Sequence, residues 1–213
     1  QYPLLVAHAR LVAPFPRHTT NEAPRSLQND YAALLADQSL MDATFAVDGG
    51  VFRAHRVILG ARSSYFRELF QANAATDAHI AITNISGPVF QILLQYVYTG
   101  EYPPMTEYTE GVSVLDVACA AKTLDVQGLY QNCLETFEEM LTMKNVLIDI
   151  IGAHKKGLSD FEDVGMKFIS QNISDFSWAV WKHKCLVEFE GRPDLLGLLL
   201  RVTTELLDYI TDL

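Results

Sequence analysis

FRAHRVILGARSSYFRELF, Phe52 to Phe70, is the stretch whose reading decides the fold. Val51 and Phe52 close a β-hairpin arm, His55 to Ala61 supports a helical turn or two, and Ser63 or Ser64 supplies the cap of a second helix through Phe70. Val57, Ile58, Ala61, Tyr65, Phe66, Leu69 and Phe70 recur at spacings of three and four, which puts most of them on one helical face. The stretch predicts a buried helical hairpin running directly out of a strand.

Upstream, Thr44–Val47 and Val51–Arg53 are short strands joined by Asp48, Gly49 and Gly50, residues that accept the positive φ of a tight hairpin. Before them, Leu27, Tyr31, Leu34 and Leu35 follow an i, i+4, i+7, i+8 rhythm behind Ser26, which predicts an amphipathic helix. Residues 1–25 carry Pro14, Pro16 and Pro24 and read as a linker; Leu4–Val6, Leu11 and Val12 equally fit the end of an upstream domain or an added strand. A chain opening on Gln1 reads as an excised segment or a processed product.

Downstream, QANAATDA (71–78) reads as a loop and His79–Ile82 as a strand. Ser86 and Pro88 start a helix bearing Phe90, Leu93, Leu94 and Val97 to a stop at Gly100. Residues 101–110 form a loop, followed by helices over about 111–123 and 126–141. The pattern stays helical beyond Leu141: Thr142 is positioned to cap a helix with Val146, Leu147, Ile150 and Ile151. Ser159 and Glu162 have capping-box spacing before Val164, Phe168 and Ile169. Further helices are expected around Trp178, Trp181 and Leu186, and over Leu195–Ile210.

These blocks resemble the BTB/POZ family. Phe52, Ala54, His55, Leu59, Ser63 and Phe66 fall on its Phe-x-Ala-His-x-x-Leu-x-x-x-Ser-x-x-Phe run. DATFAVDGG (42–50), HIAITNI (79–85), FQILLQYVYTGEY (90–102) and VLDVACAAKTLDVQGLYQNC (114–133) follow in family order. The resemblance implies an α+β fold, a small sheet flanked by helical hairpins, over residues 26–141. The helices over 142–213 resemble a shortened 3-box or BACK-like extension, as in speckle-type or leucine-zipper-like-regulator adaptors.

The family's function is protein interaction without catalysis. The resemblance implies a homodimer whose interface takes in Leu27, Tyr31, Leu34, Leu35, Asp42, His55, Arg56 and Leu59, with Asp42 and Arg56 in a charged cluster. Read without the family, the apolar face of the first helix packs on its own domain, and Asp42 and Arg56 are surface charges. The resemblance further implies a substrate adaptor of a cullin-3 RING ubiquitin ligase, its substrate held by a domain outside this segment. The cullin-3 N-terminal domain would dock on residues 70–79, 124–130 and 145–168, through Phe70, Ala75, Asp77, Leu124, Tyr130 and Asn145. The family's hydrophobic-x-Glu loop motif is missing, since QANAATDA contains no Glu. That departure favours the second reading, a scaffold or transcriptional dimerisation module without a ligase.

Composition agrees with an interaction domain. The 213 residues are 49% hydrophobic, enough for one large domain or two small ones, and the net charge of −10 argues against a nucleic-acid surface. Cys119, Cys133 and Cys185 are widely spaced in apolar contexts, as free thiols of a reducing compartment are. With no CxxC and scattered histidines, neither a metal nor a cofactor is expected. No apolar run approaches the ~18 residues of a membrane helix, so a cytoplasmic or nuclear location is expected. Ser63 and Ser64 near His55 lack an oxyanion-hole motif and a third partner, Gly49–Gly50 is too short a phosphate cradle, and Glu138–Glu139 face different directions. No set of catalytic roles can be assembled from these residues.

Overall fold

The computed structural model describes residues 26–38, 40–72, 79–102, 111–172 and Thr204. The expected helices around Trp178 and over Leu195–Ile210, the reading of residues 1–25, and Ala75 and Asp77 lie outside the described residues, as does Cys185.

The chain runs α1 (Leu27–Asp37), β1 (Ala43–Val47), β2 (Gly50–Ala54), α2 (Arg56–Arg62), α3 (Ser64–Ala72), β3 (Ile80–Ile82), α4 (Gly87–Thr99), α5 (Val114–Thr123), α6 (Gln127–Met140), α7 (Val146–Lys155) and α8 (Ser159–Gln171). The fold is α+β, with a small sheet ordered β2-β1-β3 and a helical extension after α6. β1 pairs antiparallel with β2, Phe45 opposite Phe52, and parallel with β3, Phe45 opposite Ile80. The hairpin turns on Asp48 (φ 50) and Gly49 (φ 75), positive at both central residues as a two-residue turn with the sheet's twist requires.

Alternation along β1 sends Ala43, Phe45 and Val47 inward. Phe45 is fully buried and meets Phe66 edge-on at 5.5 Å, Phe90 at 5.5 Å and Phe70 at 6.4 Å, so the sheet, α3 and α4 share one aromatic centre. The quoted stretch forms two helices, as its spacing requires, but they do not share one continuous face. Ser63 is extended (φ −143, ψ 129), and this break resets the helical phase. Val57, expected on the buried face, is 77% exposed, whereas Leu59 is fully buried. Ser63 is the cap of α3: its Oγ accepts from the Phe66 N–H at 3.1 Å and donates to the Leu124 carbonyl at 2.6 Å.

The extension packs onto the domain through α5 and α6. α7 buries Val146, Leu147, Ile150, Ile151 and Ala153; α8 buries Phe161, Met166 and Ile169. Gly152 and Gly165 permit that packing, because a Cβ on the first would stand 2.9 Å from Leu115 Cδ1 and one on the second 2.9 Å from Ile150 Cδ1. Two expected caps are corrected. Asn145 Oδ1 accepts from the Thr142 N–H (2.7 Å) and hydroxyl (2.9 Å), so Asn145 closes the turn and Thr142 does not cap the helix with its own oxygen. Ser159 already lies inside α8, and Glu162 turns inward to His154, its Oε2 3.2 Å from Nδ1, a polar contact whose alignment falls short of a hydrogen bond.

Candidate interaction surfaces

Ser26 caps α1 by accepting from the Asn29 N–H at 3.1 Å, yet no residue of this helix is buried. α1 lies along α4, with Leu34 and Leu35 half-buried. Leu27 is 70% exposed and Tyr31 37% exposed. Together with Val57 they border an apolar cavity of about 490 Å³ between α1, α2 and the end of α4. Val57 is the member that sequence spacing missed, because its helical phase was carried across the break at Ser63.

The remaining residues expected at a dimer interface are placed differently. Leu59 is a core residue and offers no surface. His55 is 6% exposed; its backbone N–H donates to the Tyr98 hydroxyl at 2.8 Å and its Nδ1 lies 2.7 Å from the same oxygen. Burial pushes the Tyr98 hydroxyl above its ordinary pKa, opposed by the His55 N–H and aided by the Asp42 charge, so it stays protonated at neutral pH. Asp42 Oδ1 accepts from the Arg56 N–H at 2.7 Å at the start of α2, and the Arg56 guanidinium lies over the Phe70 ring at 5.1 Å. Asp42 therefore serves its own chain's helix through the Arg56 backbone.

Of the six residues expected to meet a cullin, the four that are described do not form one exposed patch. Phe70 is half-buried within the aromatic centre, and Asn145 is half-buried in the turn before α7. Leu124 is 1% exposed and Tyr130 5% exposed; both are core residues, a correction, with Leu124 holding Ser63 through its carbonyl and Tyr130 lying against α8. Tyr130 donates to Asp160 Oδ2 at 2.8 Å and stacks edge-on against Phe161, which also meets Phe137 at 5.0 Å. Burial and then the Asp160 carboxylate push the Tyr130 hydroxyl far up. Lys122 Nζ donates to the Gly157 carbonyl at 2.8 Å, and Lys156 Nζ meets Asp116 Oδ1 at 2.6 Å. Burial opposes ionisation of Asp116, but hydrogen bonds from Lys156 and Ser113 and the Lys156 charge outweigh it and hold its pKa low. Ser113 and Asp116 form a reciprocal capping box at the start of α5, a pairing that sequence reading passed over.

Burial pushes the Cys133 thiol up to about 12, against a contact with Tyr102 that lowers it, so it is a packing residue rather than a nucleophile. Among the described residues, no group of three or more His, Cys, Asp or Glu is placed to hold a metal ion, and no helix is long and apolar enough to cross a membrane.

A family model for the BTB/POZ domain matches residues 31–141. The chain is 30% identical over 178 residues to mouse "TD and POZ domain-containing protein 1-like", covering 82% of this chain and 47% of that protein. It is 25% identical to the Arabidopsis thaliana "BTB/POZ and MATH domain-containing protein 6", covering 75% of this chain and 42% of the relative. The chain thus spans less than half the length of these two curated relatives. Among solved structures, the BTB domain of human gigaxonin is 27% identical with a TM-score of 0.41, covering 55% of this chain and 97% of that one.

Proposed function

The chain belongs to the BTB/POZ family of protein-interaction domains, and from that premise we propose that it is a homodimerising substrate adaptor of a cullin-3 RING ubiquitin ligase. One observation carries the dimer: Leu27, Tyr31 and Val57 leave an apolar face open on α1 and α2, and no residue of α1 is fully buried in its own chain. In a C₂ pair the same face meets its symmetry mate, so every contact across it is made twice. Asp42, His55 and Arg56 lie behind this face and position α2.

The adaptor half of the reading draws on the extension. Residues 26–141 form the interaction domain and 142–213 a BACK-like extension, whose described part is α7 and α8. Phe70, the 71–78 loop with Ala75 and Asp77, Asn145 and the exposed side of α7 offer the cullin-3 N-terminal domain its contacts. Leu124 and Tyr130 support that face from beneath. Ile148, 53% exposed on α7, supplies an apolar anchor. A substrate is held by a domain outside this segment.

Calorimetry against the cullin-3 N-terminal domain tests the adaptor. Binding is expected, and Ala75→Leu with Asp77→Glu is expected to tighten it, up to about thirtyfold for a restored Leu-sized contact of about 2 kcal/mol. No binding by the wild type and no gain in the double variant would leave the scaffold reading, which the missing loop Glu favours.

A further inference from the structure

Where α2 passes into α3 and α5 into α6, the surface opens into a cleft of about 370 Å³ bordered by Arg62, Ser64, Arg67, Tyr96, Asp125 and Gly128. Tyr96 is 7% exposed, and its hydroxyl reaches the cleft with no hydrogen-bond partner among the described residues. It reaches that far because position 128 is glycine: a Cβ there would collide with the hydroxyl. The Arg62 guanidinium lies over the Tyr96 ring at 6.0 Å, and Arg67 Nε donates to the Gly60 carbonyl at 2.9 Å. Among the described residues neither guanidinium has a carboxylate at ion-pair distance. α6 also begins here, and no side chain caps its first turn.

We propose that this cleft binds a carboxylate on a partner protein, a Glu or Asp side chain within an acidic segment. The Tyr96 hydroxyl, the two guanidiniums and the first N–H groups of α6 are all donors, a set that complements an oxyanion. Asp125 sits in the same cleft with its carboxylate engaged by Ser64 Oγ and Gln127 Nε2. Two guanidiniums against one carboxylate leave a single positive charge, which matches a monoanionic carboxylate better than a phosphate carrying close to two charges. The cleft overlaps residues 124–130 of the proposed cullin face but does not rest on cullin binding, and its test uses no cullin.

Amide chemical shifts of the full chain, followed by NMR, would be titrated with an acetylated tetraglutamate amide, with the tetraglutamine peptide and a phosphoserine peptide in parallel. Saturable shifts confined to Ser64, Arg67, Gln127 and Gly128 are expected with tetraglutamate alone. Arg62→Gln with Arg67→Gln should weaken them about fivefold or more, the scale of a lost charge-assisted contact at a solvated site. Because Arg62 stacks on Tyr96, Arg67→Gln is also measured alone; it replaces an exposed side chain and should still lower affinity. Absence of localised shifts, equal shifts with tetraglutamine, equal affinity in Arg67→Gln, or tighter binding of the phosphoserine peptide would each overturn the assignment.

Discussion

α1 and the α7–α8 pair are both joined to one core, and they are attached in opposite ways. α1 caps itself with Ser26 and buries no residue. α7 and α8 bury Val146, Ile150, Phe161 and Ile169 fully or almost so, and they are tied to α5 and α6 by Tyr130–Asp160, Lys122–Gly157 and Lys156–Asp116. Apolar burial supplies the energy of the second junction, while the polar ties fix its register. The contrast teaches that the extension is completed by its own chain. In the dimer proposed above, α1 is completed by a second copy.

The largest break in that contrast is Phe161→Ala. The ring is fully buried between Tyr130 and Phe137, so truncation should cost about 3–5 kcal/mol. Denaturant unfolding should show the whole domain destabilised; a core transition left unmoved would mean that the extension is merely tethered.

Next in size, Leu27→Asp with Val57→Asp attacks the open face. Both side chains are exposed in the single chain, so the fold should survive by circular dichroism. Self-association should weaken by about 2–4 kcal/mol, since a two-fold interface loses each apolar contact twice.

Smaller again, Tyr130→Phe keeps the ring and removes the hydrogen bond to Asp160. A loss of about 1–2 kcal/mol is expected in unfolding free energy, as for a bond to a charged acceptor. No loss would reduce that tie to an incidental contact.

The smallest effect is one of pH. Asp116 is held below its ordinary 3.8 by Lys156 and Ser113, so its contribution is present above 3.8 and lost as pH falls through the lower folded value. Both partners are about a third exposed, which limits the tie to under about 1 kcal/mol. Protection factors at the α7–α8 turn, taken relative to the intrinsic exchange rate at each pH, should therefore fall in acid, and Asp116→Asn should remove that dependence.

Local pattern carried much of the fold. Ser26 as a cap, the Asp48–Gly49 turn, the stop at Gly100 (φ 72) and the alternating strands were legible because each depends on near neighbours in the chain. The buried side of α2 was not: its phase is reset at Ser63, whose hydroxyl is committed to Leu124 across 61 positions. Tyr130 and Leu124 read as surface candidates because their burial depends on distant partners, Asp160 and Phe161 of α8 for Tyr130 and Ser63 for Leu124. The apolar rhythm of α1 was visible, but which of its side chains stay exposed depends on how it lies along α4.

The central claim is that the exposed Leu27, Tyr31 and Val57 belong to an interface between two copies of this chain. Light scattering coupled to size exclusion at micromolar concentration tests it most directly. A mass of twice 23.8 kDa, falling to 23.8 kDa in the Leu27→Asp with Val57→Asp variant, is the predicted result. A wild-type chain that stays at 23.8 kDa at that concentration would contradict it.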